Sequence, residues 1–380
     1  MIYLDNAATS FPKPETVIRE MNKCMLEYCA NPGRSGHKLA IEAGRAIYNT
    51  RELLCRLFNI ENPMQIVFTM NATDSLNLGL KGFLKRGDHV IATSMEHNSV
   101  ARPLTALKER GVEATYVKCD SEGSINPENI RKAIKKNTAL IISTHASNVV
   151  GTIMPVKEIG LIAKARGIPY MLDASQSAGV IDIDVKEMNI SMLAFPGHKG
   201  LMGPQGVGGL YISEELELVQ MKEGGTGSNS EYLVQPDIVP DRYESGTPNT
   251  VGIVGLGEGV RFILETGISN IRRHEEELTR RMLQGFCRIK GVKIYGPADE
   301  KKQTAVISMN IGDLDSTEVS YILDSEFDIA TRAGLHCSPL AHKTLGTLEQ
   351  GTVRFSIGYF NTPGDIDKAV QAVESIARNA

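Results

Sequence analysis

The stretch Met192-Leu-Ala-Phe-Pro-Gly-His-Lys-Gly200 is a short apolar run that stops in a turn flanked by Gly197 and Gly200, with His198 and Lys199 between them. A run of this length bounded by glycine reads as a buried strand ending in a tight turn. Upstream, Tyr170-Met-Leu-Asp-Ala-Ser-Gln176 repeats the pattern and ends on Asp173, where an unpaired carboxylate is costly. The interval between Asp173 and Lys199 has room for one crossover and one further strand. Both side chains are therefore expected at the same edge of one sheet, where open α/β sheets bind ligands.

Outward from this pair, short apolar runs recur at Gln65–Met70, Val90–Thr93, Ala114–Val117, Ala139–Thr144, Tyr170–Leu172, Met192–Phe195 and Val207–Ile212. Helix-like stretches lie between most of them, among them Ser99–Arg110, Pro127–Lys136 and Val156–Arg166. Buried strands alternating with crossover helices predict an α/β fold with a mostly parallel seven-stranded sheet covered on both faces. The second half differs: Ile253–Gly267 and Ile268–Ile289 read as long helices, followed by strands Val292–Tyr295, Ala305–Asn310 and Val353–Tyr359 and by helices Ser316–Ser325 and Asp365–Arg378. That is a smaller α+β domain. The expected division is 16–255 for the large domain, with 1–15 and 256–380 forming the small one. The charges Arg272, Arg273, Glu275, Glu276, Glu277, Arg280 and Arg281 read as a solvated helix face.

The 380 residues are enough for two packed domains, and 42% hydrophobic with 23% charged residues is an ordinary globular composition. A net charge of -4 removes the electrostatic case for a nucleic-acid or anionic-membrane partner, which needs a basic stripe. Met1-Ile-Tyr-Leu-Asp5 has no basic segment leading into an apolar one, so no secretory signal is expected. No apolar run approaches the ~20 residues that span a bilayer. The six cysteines (24, 29, 55, 119, 287 and 337) form no CxxC pair, which points to a reduced cytoplasmic setting with most thiols acting as small buried hydrophobes.

Two strand ends and one helix start carry the chemistry. A lysine at a strand end, desolvated and flanked by glycines that allow close approach, suits a Schiff base with a carbonyl cofactor, although a Gly-His-Lys-Gly turn alone reads as a surface loop. Asp173 would pair with a protonated pyridinium nitrogen, or else cap the turn that follows it. Phe68-Thr-Met-Asn-Ala-Thr-Asp74 runs from a strand into a helix. There the N–H groups of Ala72 and Thr73, the Thr73 hydroxyl and the helix dipole suit a phosphate, while Asn71 or Thr73 serves as N-cap. Together these features point to pyridoxal 5'-phosphate. The glycine-rich Gly203–Gly209 precedes a strand rather than following one, so it is not a dinucleotide loop. Glu96-His97 and His336-Cys337 have no second His or Cys at ligand spacing, and no metal is expected.

Asp5-Asn-Ala-Ala-Thr9, Asn71-Ala-Thr-Asp74, Glu96-His-Asn-Ser99, Ser147-Asn-Val-Val-Gly-Thr152, Asp173-Ala-Ser-Gln-Ser177, Gly197-His-Lys199, Glu244-Ser-Gly-Thr-Pro-Asn249 and Arg332-Ala-Gly-Leu-His-Cys337 occur in that order over the whole chain. With these motifs the chain resembles the cysteine desulfurases of the class V aminotransferase group, on their SUF-type (selenocysteine-lyase-like) branch. The resemblance implies a fold type I enzyme that is a homodimer. Lys199 would be the Schiff-base lysine and the acid/base at the substrate Cα, Asp173 would pair with the ring nitrogen, and Gln176 would hydrogen-bond the ring oxygen. His97 would stack on the ring, while Ala72, Thr73 and His198 would hold the phosphate, joined by Thr247 from the partner subunit. Arg354 would bind the substrate carboxylate with Asn148 beside it, the guanidinium fork matching it bidentately. Pro196 replaces a serine of the family's phosphate cradle, Ala72 a frequent threonine and Leu335 a histidine, so two phosphate hydroxyls are absent.

Cys337 separates a desulfurase from a plain transaminase or lyase. It lies in Gly334-Leu-His-Cys-Ser-Pro339, which reads as a loop, and a loop thiol near a cationic pocket can act as a nucleophile. The resemblance implies that Lys199 moves the Cα proton of L-cysteine (or a close analogue) and that the Cys337 thiolate then attacks Sγ. The products would be alanine and a Cys337 persulfide for an acceptor protein or small thiol. A selenocysteine lyase, a cysteine-sulfinate desulfinase, a class V aminotransferase and a non-catalytic cofactor-binding scaffold remain as rival readings.

Overall fold

In the structure, a computed structural model that describes residues 1–33 and 35–379, the apolar runs sort themselves by parity. After a two-residue strand β1 (Ile2–Tyr3), the chain forms β2 (Ile66–Thr69), β3 (His89–Thr93), β4 (Glu113–Val117), β5 (Thr138–Thr144), β6 (Tyr170–Asp173), β7 (Met192–Pro196) and β8 (Gly208–Ile212). Ile66, Phe68, Ile91, Ile141, Tyr170, Leu172, Leu193 and Phe195 join one buried cluster, while Val67, Val90, Ala92, Leu140, Ile142, Met171, Met192 and Ala194 join another. Alternate residues point to opposite faces of a strand, so these are the two cores on either side of one sheet. Helices close the first core through Leu54, Phe58, Ile159 and Leu256, and the second through Leu76, Leu80, Val100 and Leu104.

The sheet order is β2-β8-β7-β6-β5-β3-β4. β8 runs antiparallel to both neighbours and every other pairing is parallel. The mostly parallel seven-stranded sheet is therefore as expected, with β8 as its one reversed strand. β2, β3, β5, β6 and β7 consequently end at one edge, which brings the segments after Thr69, Thr93, Thr144, Asp173 and Pro196 together.

The smaller α+β part carries β9 (Val292–Tyr295), β10 (Val306–Ile311), β11 (Ile329–Ala330), β12 (Arg332–Gly334) and β13 (Thr352–Ser356). β12-β13-β10-β9 form an antiparallel sheet, and β11 pairs in parallel with β1. Its core contains Leu278, Phe286, Met309, Phe355 and Val373, and Phe286 and Phe355 meet edge to face at 5.1 Å between ring centres. Strands β1, β11 and β12 are two or three residues long and show no readable alternation, and the last expected strand stops at Ser356. The helix Thr250–Thr266 packs on helices Glu15–Lys23 and Lys38–Phe58.

Two local expectations change. Glu275, expected on the solvated face of helix Ile268–Phe286, is buried at 5% exposure. It faces a cavity of about 590 Å³ between the two parts of the molecule, and burial pushes its carboxyl up to about 8. Cys24, Cys55 and Cys119 are buried as expected, whereas Cys29, Cys287 and Cys337 are exposed. Among the described residues no helix is long and apolar enough to cross a membrane.

Candidate active site

A cavity of about 470 Å³ opens at the strand-end edge, and its walls include Ala72, Thr73, His97, Asn148, Asp173, Gln176, His198 and Lys199. Eight of the sequence-predicted residues thus meet in one place. Asp173 is the last residue of β6 and is 3% exposed. Ser175 N–H and Oγ–H both donate to its Oδ1, at 2.9 and 2.5 Å, and its Oδ2 has no hydrogen-bond partner among the described residues. Gln176 Nε2 donates to the Ala7 carbonyl at 3.0 Å, which fixes its amide against the N-terminal segment.

Lys199 lies in the turn after β7. Burial draws its ammonium down to about 8; Asp173 opposes that shift, and the positive charges of Arg354 and Arg332 add to it. At about 8 a usable fraction of the amine is unprotonated at physiological pH, and the unprotonated form is what attacks a carbonyl. The turn is held from one side: the His198 carbonyl accepts from Thr9 Oγ1 at 3.0 Å, Ser10 Oγ at 3.2 Å and Lys13 Nζ at 2.8 Å. Added Cβ atoms at Gly197 and Gly200 would lie 2.9 Å from Val207 and 2.5 Å from the Ala178 carbonyl, so only glycine lets this turn seat.

Asn71 caps helix Ala72–Phe83 by accepting from Asp74 N–H at 3.1 Å. Ala72 and Thr73 therefore occupy the first two helical positions, whose N–H groups have no acceptor within the helix. Thr73 Oγ1 meets Ser99 Oγ at 2.8 Å, and Ser99 Oγ meets His97 Nδ1 at 2.9 Å. Burial, above all, takes His97 down to about 4, so its ring is neutral. Its Nδ1 accepts from Ser99 N–H at 3.0 Å, which leaves the proton on Nε2. The preceding residue, Glu96, is fully buried and pushed up to about 8 by that burial. Its Oε1 accepts from Thr93 Oγ1 and Thr144 N–H, while Oε2 has no partner among the described residues, and burial favours the protonated form beside Asp173.

These features fit pyridoxal phosphate. Asp173 lines the cavity with only its Oδ1 engaged among the described residues, His198 Nδ1 is buried with no partner among them, and the helix start presents N–H donors for an anion. Pro196 and Ala72 contribute no hydroxyl, in keeping with a cradle of N–H groups.

Arg354, Cys337 and Thr247 lie outside that wall. Arg354, on β13, is 1% exposed; its Nη2 pairs with Asp5 Oδ1 at 2.8 Å and its Nη1 donates to the Asn148 carbonyl at 2.9 Å. Both polar atoms of the Asn148 side chain are engaged by the Cys337 loop, at His336 and Ser338. Cys337 is exposed and not among the residues of the cavity wall, its carbonyl accepting from Asn98 N–H at 2.9 Å. His336 and Cys337 adopt φ of 49° and 57°, a left-handed conformation that costs about 1 kcal/mol or more for each L-residue. Thr247 is exposed on a different cavity of about 660 Å³, away from its own chain's Lys199.

Sequence reasoning missed Arg332 and the pairing of His336 with His342. Arg332 lies opposite Arg354 across β12 and β13, and its Nη2 is 3.7 Å from Cys337 Sγ. Its motif held the signal, a cation in register with the buried arginine. His336 and His342 stack at 5.5 Å, six residues apart, a spacing that only the left-handed turn between them makes close.

The class-V aminotransferase family model matches residues 2–369. The chain is 37% identical to a probable cysteine desulfurase of Methanothermobacter thermautotrophicus over 99% of its own length and 94% of the relative's. It is 35% identical to one of Pyrococcus abyssi over 100% and 95%. The fold superposes on the apo structure of a cysteine desulfurase from Thermococcus onnurineus with a TM-score of 0.92, at 34% identity over 100% of this chain and 95% of that one. On fold and sequence alike, the chain belongs to the class-V aminotransferase and cysteine desulfurase family of fold type I pyridoxal-phosphate enzymes.

Proposed function

We propose that this enzyme is a cysteine desulfurase that converts L-cysteine to L-alanine and carries the sulfur away as a persulfide on Cys337. The observation that carries the reading is the placement of Cys337: an exposed thiol with the Arg332 guanidinium 3.7 Å from its sulfur, on a loop tied through Asn148 and Asn98 to the cavity of Lys199. A plain aminotransferase has no use for such a thiol, and the relatives described as cysteine desulfurases support the same choice.

Pyridoxal phosphate, when bound, supplies the electron sink for charge developed at the substrate Cα. Asp173 would hold the ring nitrogen, Gln176 the ring oxygen and His97 the ring face, and Ala72, Thr73 and His198 would hold the phosphate. Arg354 takes the substrate carboxylate in place of part of its hold on Asp5 and Asn148, and Asn148 stands beside it. Lys199 removes the Cα proton and returns a proton to carbon. The Cys337 thiolate attacks Sγ: the Cβ–S bond breaks, a Cys337 S–S bond forms, and the carbon side leaves with the electron pair and is protonated to a methyl group. Cysteine and the Cys337 thiol thus become alanine and a persulfide with no external oxidant or reductant.

Because Cys337 is exposed, an acceptor thiol can reach the terminal sulfur without the loop unfolding. The active unit is a homodimer in which Thr247 of each chain completes the phosphate site of the other. Exposed Tyr232 and Val234 on the same 213–249 segment, at 63% and 74%, give such an interface apolar surface. The reading is tested by supplying L-cysteine with a reductant: sulfide and alanine form in equal amounts, and selenocysteine and cysteine sulfinate are poorer substrates. Alanine without sulfide, or sulfide that persists in Cys337→Ala, overturns it.

A further inference from the structure

Cys337 is exposed between two buried neighbours, His336 at 3% and Ser338 at 0%. One side chain grips both. Asn148 Nδ2 donates to the His336 carbonyl at 2.8 Å, and Ser338 Oγ donates to Asn148 Oδ1 at 2.7 Å. The backbone of the same Asn148 accepts from Arg354 Nη1 at 2.9 Å. A single residue thus touches the arginine on one side and both flanks of the nucleophile on the other.

The opposite side of the loop is locked by a directional chain. His336 Nε2–H donates to the Arg332 carbonyl at 3.1 Å, which can only accept, so His336 Nδ1 must accept. It accepts from His342 Nε2–H at 3.3 Å, and His342 Nδ1 accepts from Thr347 Oγ1 at 2.8 Å. His342 and Thr347 are buried at 0% and 3%, and burial, as the main cause, takes His336 to about 3 and His342 to about 4, so the chain stays neutral. A loop with two successive left-handed L-residues persists only if its surroundings over-determine it, and this chain together with the Asn148 clip does so.

We propose that Asn148 is a positioning residue that couples occupation of Arg354 by the substrate carboxylate to the placement of Cys337, with the His336–His342–Thr347 chain as the fixed side of the clamp. This rests on the reading of Arg354 as the carboxylate site. A carboxylate arriving at Arg354 competes for the guanidinium donors now spent on Asp5 and on the Asn148 carbonyl. Any adjustment of Asn148 moves the peptide carbonyl before Cys337 and the Ser338 hydroxyl after it together, because one amide holds both. The nucleophile is then set in place when a substrate with the correct carboxylate is bound.

The test uses the holoenzyme and L-alanine, which has the amine and carboxylate but no sulfur to transfer. Binding is followed by the change in the cofactor absorption band, and Cys337 reactivity by the rate of iodoacetamide labelling of the peptide that contains it. In the wild type, saturating L-alanine changes the labelling rate by about fivefold or more. In Asn148→Ala, compared at whatever L-alanine concentration saturates the band change in that variant, the labelling rate no longer responds. Ser338→Ala, which removes one arm of the clip away from the substrate, reduces the response. His342→Leu changes the labelling rate with and without L-alanine alike and keeps their ratio, and His342→Gln restores it in part. A wild-type labelling rate indifferent to L-alanine, or a full response retained in both Asn148→Ala and Ser338→Ala, overturns the proposal. Sulfide release from L-cysteine in the same preparations reports the underlying reading separately. Its absence in the wild type sinks the desulfurase assignment, whereas sulfide with an unresponsive Cys337 sinks only the clamp.

Discussion

The turn that carries Lys199 and the loop that carries Cys337 solve opposite problems. Lys199 follows a buried strand, between glycines that nothing larger could replace, and three side chains of the N-terminal segment converge on the carbonyl just before it. Cys337 stands exposed on two left-handed residues and is held by side chains from distant parts of the chain. A covalent anchor must be immobile and dry, because desolvation is what makes its amine reactive. A nucleophile that receives sulfur from a buried substrate and passes it to an outside thiol must face both ways. The difference shows that one enzyme can place its two reactive groups on unlike supports, a rigid sheet edge and an over-determined loop.

The comparison breaks most sharply at Lys199. Lys199→Ala is expected to lower sulfide release by about 10³-fold or more and to abolish the covalent cofactor linkage, read by absorbance after denaturation. Cys337→Ser comes next, with sulfide release down on the order of 10²-fold while the absorption band stays intact. Together the two variants separate cofactor anchoring from sulfur capture.

The desolvation of Lys199 sharpens the comparison by pH. With its amine drawn down to about 8, the rate of cofactor uptake by the apo-protein should rise about tenfold per pH unit below that value and level off above it. A surface lysine would keep gaining to about pH 10.4, so a plateau near 8 in stopped-flow absorbance tests the account. At Arg354, lysine cannot reproduce the planar fork, and Arg354→Lys should raise KM for L-cysteine about tenfold with a smaller change in kcat.

A last effect, on stability rather than turnover, concerns the cavity behind Lys199. Glu275 has a folded-state pKa of about 8, above the ordinary 4.5, so the folded protein binds more protons than the unfolded chain between those values. Stability contributed by this residue is therefore full below pH 4.5 and is lost as pH rises to about 8, by roughly 1.4 kcal/mol per unit at most. Glu275→Gln should match the wild type in acid and exceed it in Tm at pH 8 and above. Equal melting curves across that range would place the carboxylate in contact with water.

The same contrast explains what could be read from the sequence. The sheet and the Asp173–Lys199 edge were legible because seven apolar runs, each bounded by turn residues, carry their own signal, and the two polar residues interrupt them at their ends. Strands β1, β11 and β12 are too short for alternation to show, and they form because the N-terminal segment and the Cys337 region find partners far along the chain. Glu275 was hidden in a helix crowded with charges, where only packing separates the buried carboxylate from its solvated neighbours. Cys337 was found by its motif, but the clamp around it was not. Asn148, His336 and His342 meet through a left-handed turn and a domain contact that no local pattern encodes.

The central claim is that sulfur leaves cysteine onto Cys337, and a single turnover tests it directly. Holoenzyme mixed with limiting L-cysteine in the absence of reductant should yield one alanine per sulfur transferred, with mass spectrometry finding one added sulfur atom on the peptide that contains Cys337. Alanine formed with Cys337 unmodified, or the added sulfur found on Cys29 or Cys287 instead, would contradict the account.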